Sequence, residues 1–231
     1  MARSRRQRTM PLITYFNPKS PEAEAFKVLR TNLQFLKVDE QTKTILFTSV
    51  GPDEGKSTVL ANLAVSLAQV GKKVLVVDCD LRRPVQHRIF GHINHKGLTS
   101  VLSETDILEE VIQKTDAPGV FILTTGLIPP NPAELLSSDR MQIVLEKLED
   151  MFDIVMIDSP PILAVTDAVI LASMVDGVIL ITLAGRTVID KAKEAKEKLL
   201  AAGAKILGVV LNGVERSRND HYYYYYYGDK K

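Results

Sequence analysis

The sequence lacks the features that would assign it to an oxidising compartment, a membrane or a nucleic-acid partner. It has one cysteine, Cys79, which excludes an intramolecular disulfide and fits a reducing compartment. Its formal net charge is only +1, so no excess of basic charge favours nucleic acid. No apolar run approaches the ~18–20 residues that span a bilayer. The arginines near the N-terminus are not followed by the apolar core of a secretory signal. We therefore expect a cytoplasmic protein that does not bind nucleic acid.

What remains is the composition of an ordinary globular protein, with 45% hydrophobic and 25% charged residues. Its 231 residues fit one α/β domain. Short apolar runs alternate with amphipathic stretches, which predicts a P-loop NTPase-like, mostly parallel sheet with helices on both faces. We assign residues 20–215 to this domain, and within it we expect one helix over residues 134–148. Residues 1–19 are predicted to be a mobile basic arm, and residues 216–231 a flexible tyrosine-cluster tail.

Residues 44–58 have the order strand, glycine-bearing loop and helix. The loop carries Gly51 and Gly55, and a helix is predicted to begin at Lys56, which is the context of a phosphate-binding loop. In such a loop, backbone N–H groups cradle a polyphosphate, Lys56 supplies a mobile charge and Ser57 offers a hydroxyl to Mg²⁺. The first glycine stands one residue later than the usual spacing places it. A glycine turn before an ordinary helix is therefore the competing interpretation.

Three aspartates are predicted to meet at the carboxyl edge of the sheet. Asp78 and Asp80 follow the apolar run 74–77, and Asp158 ends a second run over residues 152–157. Ligands of open parallel sheets collect at that edge. If the chain is still extended there, the side-chain period of two puts Asp78 and Asp80 on one side. Two carboxylates could then hold Mg²⁺, while the third accepts a proton from an acceptor hydroxyl or orients it. For Asp158, a buried helix cap is the alternative.

Other charged side chains have two interpretations each. Arg82 and Arg83 could contact phosphate oxygens or an acidic partner, or could form ion pairs within the fold. Glu24, Lys27 and Arg30 lie three apart on the predicted helix that opens the domain. They form either an oligomer contact or a solvated face held by local ion pairs. The four arginines of the arm either meet anionic lipid or an acidic partner, or are simply solvated.

The C-terminal segment has a composition unlike the rest of the chain. Six of the seven tyrosines follow one another at residues 222–227. An exposed aromatic run with nothing to pack on is a liability. This favours a functional segment over a terminal β-strand or an affinity segment, which remain the alternatives.

Together these residues resemble the bacterial tyrosine kinases, in the form whose cytoplasmic catalytic chain is separate from its membrane activator. The resemblance covers nearly the whole chain. Its most specific parts are the doubled-aspartate segment and the tyrosine tail. The motifs that carry it are residues 51–58, 74–84, 97–102, 129–136 and 158–161, Asn212, and the terminal tyrosines.

The resemblance implies ATP as the phosphate donor, Mg²⁺ as the ion, and autophosphorylation of the tail in trans. The implied catalytic residues are Lys56, Asp78 and Asp80, with Asp78 the base-like residue. The implied metal ligands are Ser57, Asp80 and Asp158. The implied nucleotide-binding residues are Gly51, Asp53, Glu54, Gly55, Lys56, Ser57, Thr58 and Asn212. The implied phosphoacceptors are Tyr222, Tyr223, Tyr224, Tyr225, Tyr226 and Tyr227.

The resemblance also implies partners. Glu24, Lys27 and Arg30 would assemble a ring-shaped homo-oligomer such as an octamer, although the family has arginine where Lys27 stands and lysine cannot form the same planar fork. A membrane activator would recruit the chain to the inner face of the membrane through its cytoplasmic tail. Protein substrates would carry tyrosines, and the process controlled would be capsular or extracellular polysaccharide synthesis and export.

Two other functions stay open. An ATPase switch of the cell-division or chromosome-partitioning type shares the predicted fold and the aspartate pair. Members of that class resemble one another in a phosphate loop that carries a lysine at the position where this chain has Gly51. They also often end in a membrane-seeking amphipathic helix, whereas this chain ends in tyrosines. An ATP-gated scaffold without kinase activity is the other possibility, since residue spacing does not measure turnover.

Overall fold

The computed structural model describes residues 12–35 and 42–215. The strands are β1 (Thr44–Ser49), β2 (Val74–Asp78), β3 (Gln113–Lys114), β4 (Val120–Leu123), β5 (Ile154–Asp158), β6 (Gly177–Leu183) and β7 (Ile206–Asn212). The helices are α1 (Ile13–Phe16), α2 (Pro21–Phe35), α3 (Lys56–Ala68), α4 (Gln86–Ile89), α5 (Leu98–Leu102), α6 (Leu108–Val111), α7 (Pro132–Leu136), α8 (Asp139–Met151), α9 (Asp167–Ala172) and α10 (Ile189–Ala201).

The strands form one sheet in the order β3-β4-β2-β5-β1-β6-β7. Neighbouring strands are parallel, except that the short β3 pairs antiparallel with β4. Parallel neighbours need crossover connections, and helices supply them on both faces of the sheet. The predicted α/β fold with a mostly parallel sheet is therefore confirmed. Its central strands are β2, β5 and β1, so the ends of these three strands lie side by side.

The sheet separates two hydrophobic cores. Along β1, Leu46 belongs to one core while Ile45 and Phe47 belong to the other, as the side-chain period of two requires. The first core also contains the buried faces of α8, α9 and α10, and the second contains those of α2 and α3. A strand that is buried on both faces has a continuous apolar sequence, and for this reason the buried strands could be predicted from the sequence.

The folded domain begins earlier in the chain than the sequence indicated. Residues 12–19, assigned to a mobile arm, contain α1, and Thr14 within it is buried. The backbone N–H of Thr14 donates to Asn62 Oδ1 at 3.0 Å, and Gln69 Nε2 donates to the Thr14 carbonyl at 3.1 Å. These contacts attach α1 to α3. The arm prediction is thus wrong for residues 12–19, and residues 1–11 lie outside the described part of the chain.

The single helix predicted over residues 134–148 is also wrong, because the structure has two helices there, α7 and α8. The break falls at Ser137 and Ser138, between the two helices. Ser137 Oγ donates to the Glu134 carbonyl at 3.1 Å, and Ser138 Oγ donates to the Leu135 carbonyl at 2.8 Å. Serine hydroxyls that bond nearby carbonyls compete with the helical ladder and favour its end.

Within residues 12–35 and 42–215, no helix combines the length and the apolar character needed to cross a bilayer. The predicted tail, residues 216–231, lies outside the described residues.

Gly97 packs closely against the backbone of the segment that follows β4. The start of α5 bonds the segment after β4, since the Leu98 N–H donates to the Thr124 carbonyl at 2.8 Å. A Cβ on Gly97 would overlap that carbonyl oxygen and approach the backbone nitrogen of Gly126 to 2.7 Å. We expect Gly97→Ala to lower the free energy of unfolding by about 2–3 kcal/mol, since the neighbouring backbone cannot give way. Urea denaturation would measure the change.

The matched control is Gly208→Ala in β7, where an added Cβ meets nothing within 4 Å. This variant should stay within about 0.5 kcal/mol of the parent. Equal stability of the two variants would contradict the close packing inferred at Gly97.

Candidate functional site

The phosphate loop lies between β1 and α3, at the carboxyl edge of the sheet. Gly55 has a φ of 87°, in the left-handed region, and a Cβ on it would overlap the Asn212 amide. Glycine is therefore required at this position for two independent reasons. Asp53 is exposed at the tip of the loop, also with a positive φ, of 59°. Lys56, Ser57 and Thr58 form the first turn of α3, and the N-terminal end of a helix favours an anion.

Glu54 and Asn212, predicted as nucleotide ligands, bind the loop itself in this structure. Glu54 is buried; its Oε2 accepts the Val50 N–H at 2.9 Å and its Oε1 accepts the Thr187 hydroxyl at 2.6 Å. Asn212 Nδ2 donates to the Glu54 carbonyl at 2.9 Å. These bonds attach the loop to the chain after β6 and to the end of β7. Both residues thus support the loop, and their contact with a nucleotide stays a prediction.

Lys56 lies among the predicted metal ligands. Its Nζ is 3.0 Å from Asp158 Oδ1 and 3.2 Å from Asp80 Oδ2, and it donates to Ser57 Oγ at 3.1 Å. Burial on its own would lower the pKa of Lys56, but the carboxylates of Asp158 and Asp80 outweigh burial and raise the pKa above its usual value. The ammonium is therefore charged, and two carboxylates hold it at the start of α3.

Asp78 is fully buried, as is Asp158, while Asp80 is 5% exposed. Asp78 ends β2 and pairs in register with Asp158 at the end of β5. Its Oδ2 accepts the N–H groups of Val85 at 3.0 Å and Gln86 at 2.9 Å. Burial, and next the charge of Asp158, raise the pKa of Asp78 to about 8. A carboxyl group whose pKa lies near neutrality is suited to proton transfer.

Gln86, the first residue of α4, is a buried part of the site that the sequence did not single out. Its Nε2 donates to Asp158 Oδ2 at 2.8 Å and to the Ser57 carbonyl at 3.2 Å. It therefore joins the phosphate loop to the third aspartate. No sequence signal could have found it, because one glutamine in a polar segment has no characteristic spacing.

Arg82 forms an ion pair within the fold, which was one of its two interpretations. Its Nε is 2.9 Å from Asp167 Oδ2, and a terminal nitrogen is 3.0 Å from Asp167 Oδ1. Asp167 is fully buried at the start of α9. One residue later, the Arg83 backbone N–H donates to Asp80 Oδ1 at 3.0 Å. Both contacts hold the segment that carries Asp80, while the Arg83 side chain is exposed.

The structure therefore brings Lys56, Ser57, Asp78, Asp80 and Asp158 into one cluster at the carboxyl edge. Within the described ranges, no three His, Cys, Asp or Glu side chains are grouped closely enough to hold a metal by themselves. Mg²⁺ is commonly held by one or two carboxylates, with water and substrate phosphates completing its shell. The two carboxylates and the hydroxyl around Lys56 Nζ fit that pattern.

The predicted oligomer residues lie elsewhere, on α2. Lys27 Nζ is 2.8 Å from Glu24 Oε2, so these two residues form a local ion pair. Arg30 donates to the Ser66 carbonyl at 2.8 Å, which ties α2 to α3. A contact with another copy stays a prediction. The predicted phosphoacceptors, residues 222–227, lie outside the described residues.

The chain is similar to known proteins in both sequence and structure. A family model described as an AAA domain matches residues 42–190. The chain is 45% identical over 219 residues to the tyrosine-protein kinase YwqD of Bacillus subtilis, covering 95% of this chain and 92% of that protein. The solved kinase domain of the Escherichia coli tyrosine kinase ETK is 37% identical, with a TM-score of 0.86, covering 94% of this chain and 86% of that one.

A more distant solved structure is the septum site-determining protein MinD of Pyrococcus horikoshii, complexed with Mg-ADP. It is 29% identical with a TM-score of 0.66, covering 77% of this chain and 73% of that one. The fold is thus shared by proteins of more than one function.

The raised pKa of Asp78 predicts a pH-dependent stability of the protein without nucleotide or metal. A carboxyl group whose pKa is raised on folding holds its proton more tightly in the folded state. Stability is therefore lost as the pH rises from near 3.8 to about 8. Asp78→Asn removes this loss, so its stability relative to the parent should grow by ~1.4 kcal/mol per pH unit between pH 5 and pH 7. Urea denaturation in EDTA at several pH values would measure it.

Asp190→Asn is the control, because the Asp190 side chain is 88% exposed. Its stability relative to the parent should change little over the same pH range. If the free energy of unfolding of Asp78→Asn relative to the parent is equally independent of pH, Asp78 is not buried as the structure shows.

Proposed function

This chain belongs to the bacterial tyrosine kinases, and on that basis we propose that it transfers the γ-phosphate of Mg-ATP to tyrosines 222–227 of a second copy. The observation that carries the proposal is the cluster around Lys56, whose Nζ lies within 3.2 Å of both Asp80 and Asp158. It stands at the start of a helix that follows a glycine-bearing loop. Phosphoryl transfer depends mainly on positioning and on neutralising phosphate charge.

Each residue of the cluster has a role in this proposal. The loop amides and Lys56 would hold the β- and γ-phosphates, and Glu54 and Asn212 would keep the loop in shape. Ser57, Asp80 and Asp158 would hold Mg²⁺, which when bound neutralises charge on the β- and γ-phosphate oxygens. Asp78 would take the proton of the tyrosine hydroxyl, a role that its raised pKa supports.

The proposal extends to partners and location through the family resemblance. The chain would be cytoplasmic and recruited to the inner face of the membrane by the cytoplasmic tail of an activator protein. Copies would assemble into a ring through α2, so that one tail reaches the site of the next copy. The process regulated would be capsular or extracellular polysaccharide synthesis and export.

A nucleotide-dependent switch is the second candidate, because the MinD structure with Mg-ADP has the same fold. Proteins of the switch class resemble one another in a phosphate loop that carries a lysine at the position where this chain has Gly51. The six terminal tyrosines also favour the kinase, since a switch has no use for a run of phosphoacceptors.

The direct test is mass spectrometry of the tail after incubation with Mg-ATP and the activator's tail. We expect phosphate on residues 222–227 in the parent. In Lys56→Met we expect labelling and nucleotide affinity to fall at least about 100-fold, because the charge that holds the phosphates is gone. Lys193→Met, on the exposed face of α10, is the control and should label like the parent.

Unmodified tyrosines together with consumed ATP would favour the switch over the kinase. Normal labelling of Lys56→Met would refute the assignment of the site.

The ring is tested by replacing Glu24, Lys27 and Arg30 together with alanine. If α2 provides the contact between copies, the variant should be a monomer, because the charged side chains that form this contact are absent. Light scattering would show the lower mass. The matched control replaces Lys191, Lys193 and Glu194, which pair with their own helix on α10. If the triple α2 variant has the same mass as the parent, these residues do not form the oligomer contact, and the interpretation as a solvated helix face is correct.

A further inference from the structure

We propose that Gln86 is a positioning residue for Mg²⁺. Its carboxamide fixes Asp158 against the phosphate loop, and its Oε1 accepts a hydrogen bond from a water ligand of the ion. This inference rests on the proposed function, because it assumes that a magnesium nucleotide binds at this cluster. It concerns a residue that neither the sequence motifs nor the implied ligand set includes.

The orientation of the Gln86 amide follows from its neighbours. Nε2 faces Asp158 Oδ2 at 2.8 Å and the Ser57 carbonyl oxygen at 3.2 Å. Both are acceptors, so the NH₂ group must point at them; an oxygen in its place would face two acceptors with no proton between. Oε1 therefore points away from both of these contacts, and its direction is fixed.

Gln86 Oε1 is buried and has no hydrogen-bond partner among the described residues. The whole residue is 0% exposed. Buried polar atoms are nearly always hydrogen-bonded, so an unpartnered acceptor at this place indicates a donor that arrives with the ligand. Thr14 Oγ1 and His87 Nδ1 also lack a hydrogen-bond partner within residues 12–35 and 42–215, but no hydrogen bond described there joins either side chain to the three aspartates.

The chemistry of the expected ligands identifies that donor. Nucleotide phosphates are acceptors and cannot satisfy a carbonyl oxygen. Mg²⁺ gives up its water ligands reluctantly and usually keeps several, and each of these waters is a polarised O–H donor. Nε2 binds the Asp158 carboxylate, so the side chain of Gln86 lies beside a predicted ligand of the ion. A water held by the ion is therefore the donor that we assign to Oε1.

The side chain can be tested apart from the fold. The Gln86 backbone N–H donates to Asp78 Oδ2 at 2.9 Å, and a substitution leaves this bond in place. Gln86→Met has a similar volume and removes both the donor and the acceptor. The matched control is Gln69→Met at the far end of α3, where Nε2 likewise bonds a backbone carbonyl, that of Thr14, at 3.1 Å.

The experiment is a fluorescence titration of the full chain with mant-ADP, first in EDTA and then with increasing Mg²⁺. For Gln86→Met, we expect affinity in EDTA to stay within about threefold of the parent. The Mg²⁺ concentration for half-maximal tightening should rise about 10–100-fold, as for other residues that orient metal ligands. Gln69→Met should match the parent in both measurements.

An unchanged Mg²⁺ requirement in Gln86→Met would overturn the proposal, as would an equal rise in Gln69→Met. An equal loss of affinity in EDTA and in Mg²⁺ would also overturn it, because Gln86 would then support only the loop. If circular dichroism shows Gln86→Met to be unfolded, Gln86→Asn decides the question in the same titration, since its shorter amide cannot span both acceptors. A parent whose mant-ADP affinity does not respond to Mg²⁺ would reject the proposed function itself.

Discussion

The site depends on one electrostatic arrangement, a lysine ammonium held between two carboxylates. Asp158 ends β5, and Asp80 lies two residues after the end of the neighbouring β2. The strand order puts β5 between β2 and β1, so Asp158 stands between the doubled-aspartate segment and the phosphate loop. Three carboxylates then face one ammonium. Burial makes such an excess of negative charge unfavourable, which is visible in the raised pKa of Asp78. A divalent cation that arrives with the nucleotide would restore the balance.

Around this centre, buried polar contacts position each functional group. Glu54 holds the phosphate loop, Arg82 anchors the segment after β2 to Asp167, and Gln86 connects the loop to Asp158. Each contact joins two different elements of the fold. The proposed binding of phosphate and metal at fixed distances needs such support, because a misplaced ligand loses most of its effect.

The elements that sequence could predict are those with a strong local pattern. Buried parallel strands read as apolar runs, and the loop and the aspartates follow directly from those runs. Long-range contacts have no such pattern. Gln86 meets Asp158 across 72 positions, Arg82 meets Asp167 across 85, and Glu54 meets Thr187 across 133. The four-residue α1 was missed because one turn has no periodicity, and α7 and α8 were merged because the serines between them carry the break.

The attachment of α1 to α3 has a mechanical consequence. Asn62 accepts the Thr14 N–H through Oδ1 and donates through Nδ2 to the Thr58 carbonyl at 3.0 Å. Thr58 lies in the turn that begins with Lys56 and Ser57. A single amide therefore connects the start of the described chain to the end of α3 that follows the phosphate loop. A displacement of α1 would therefore reach the first turn of α3 through two hydrogen bonds.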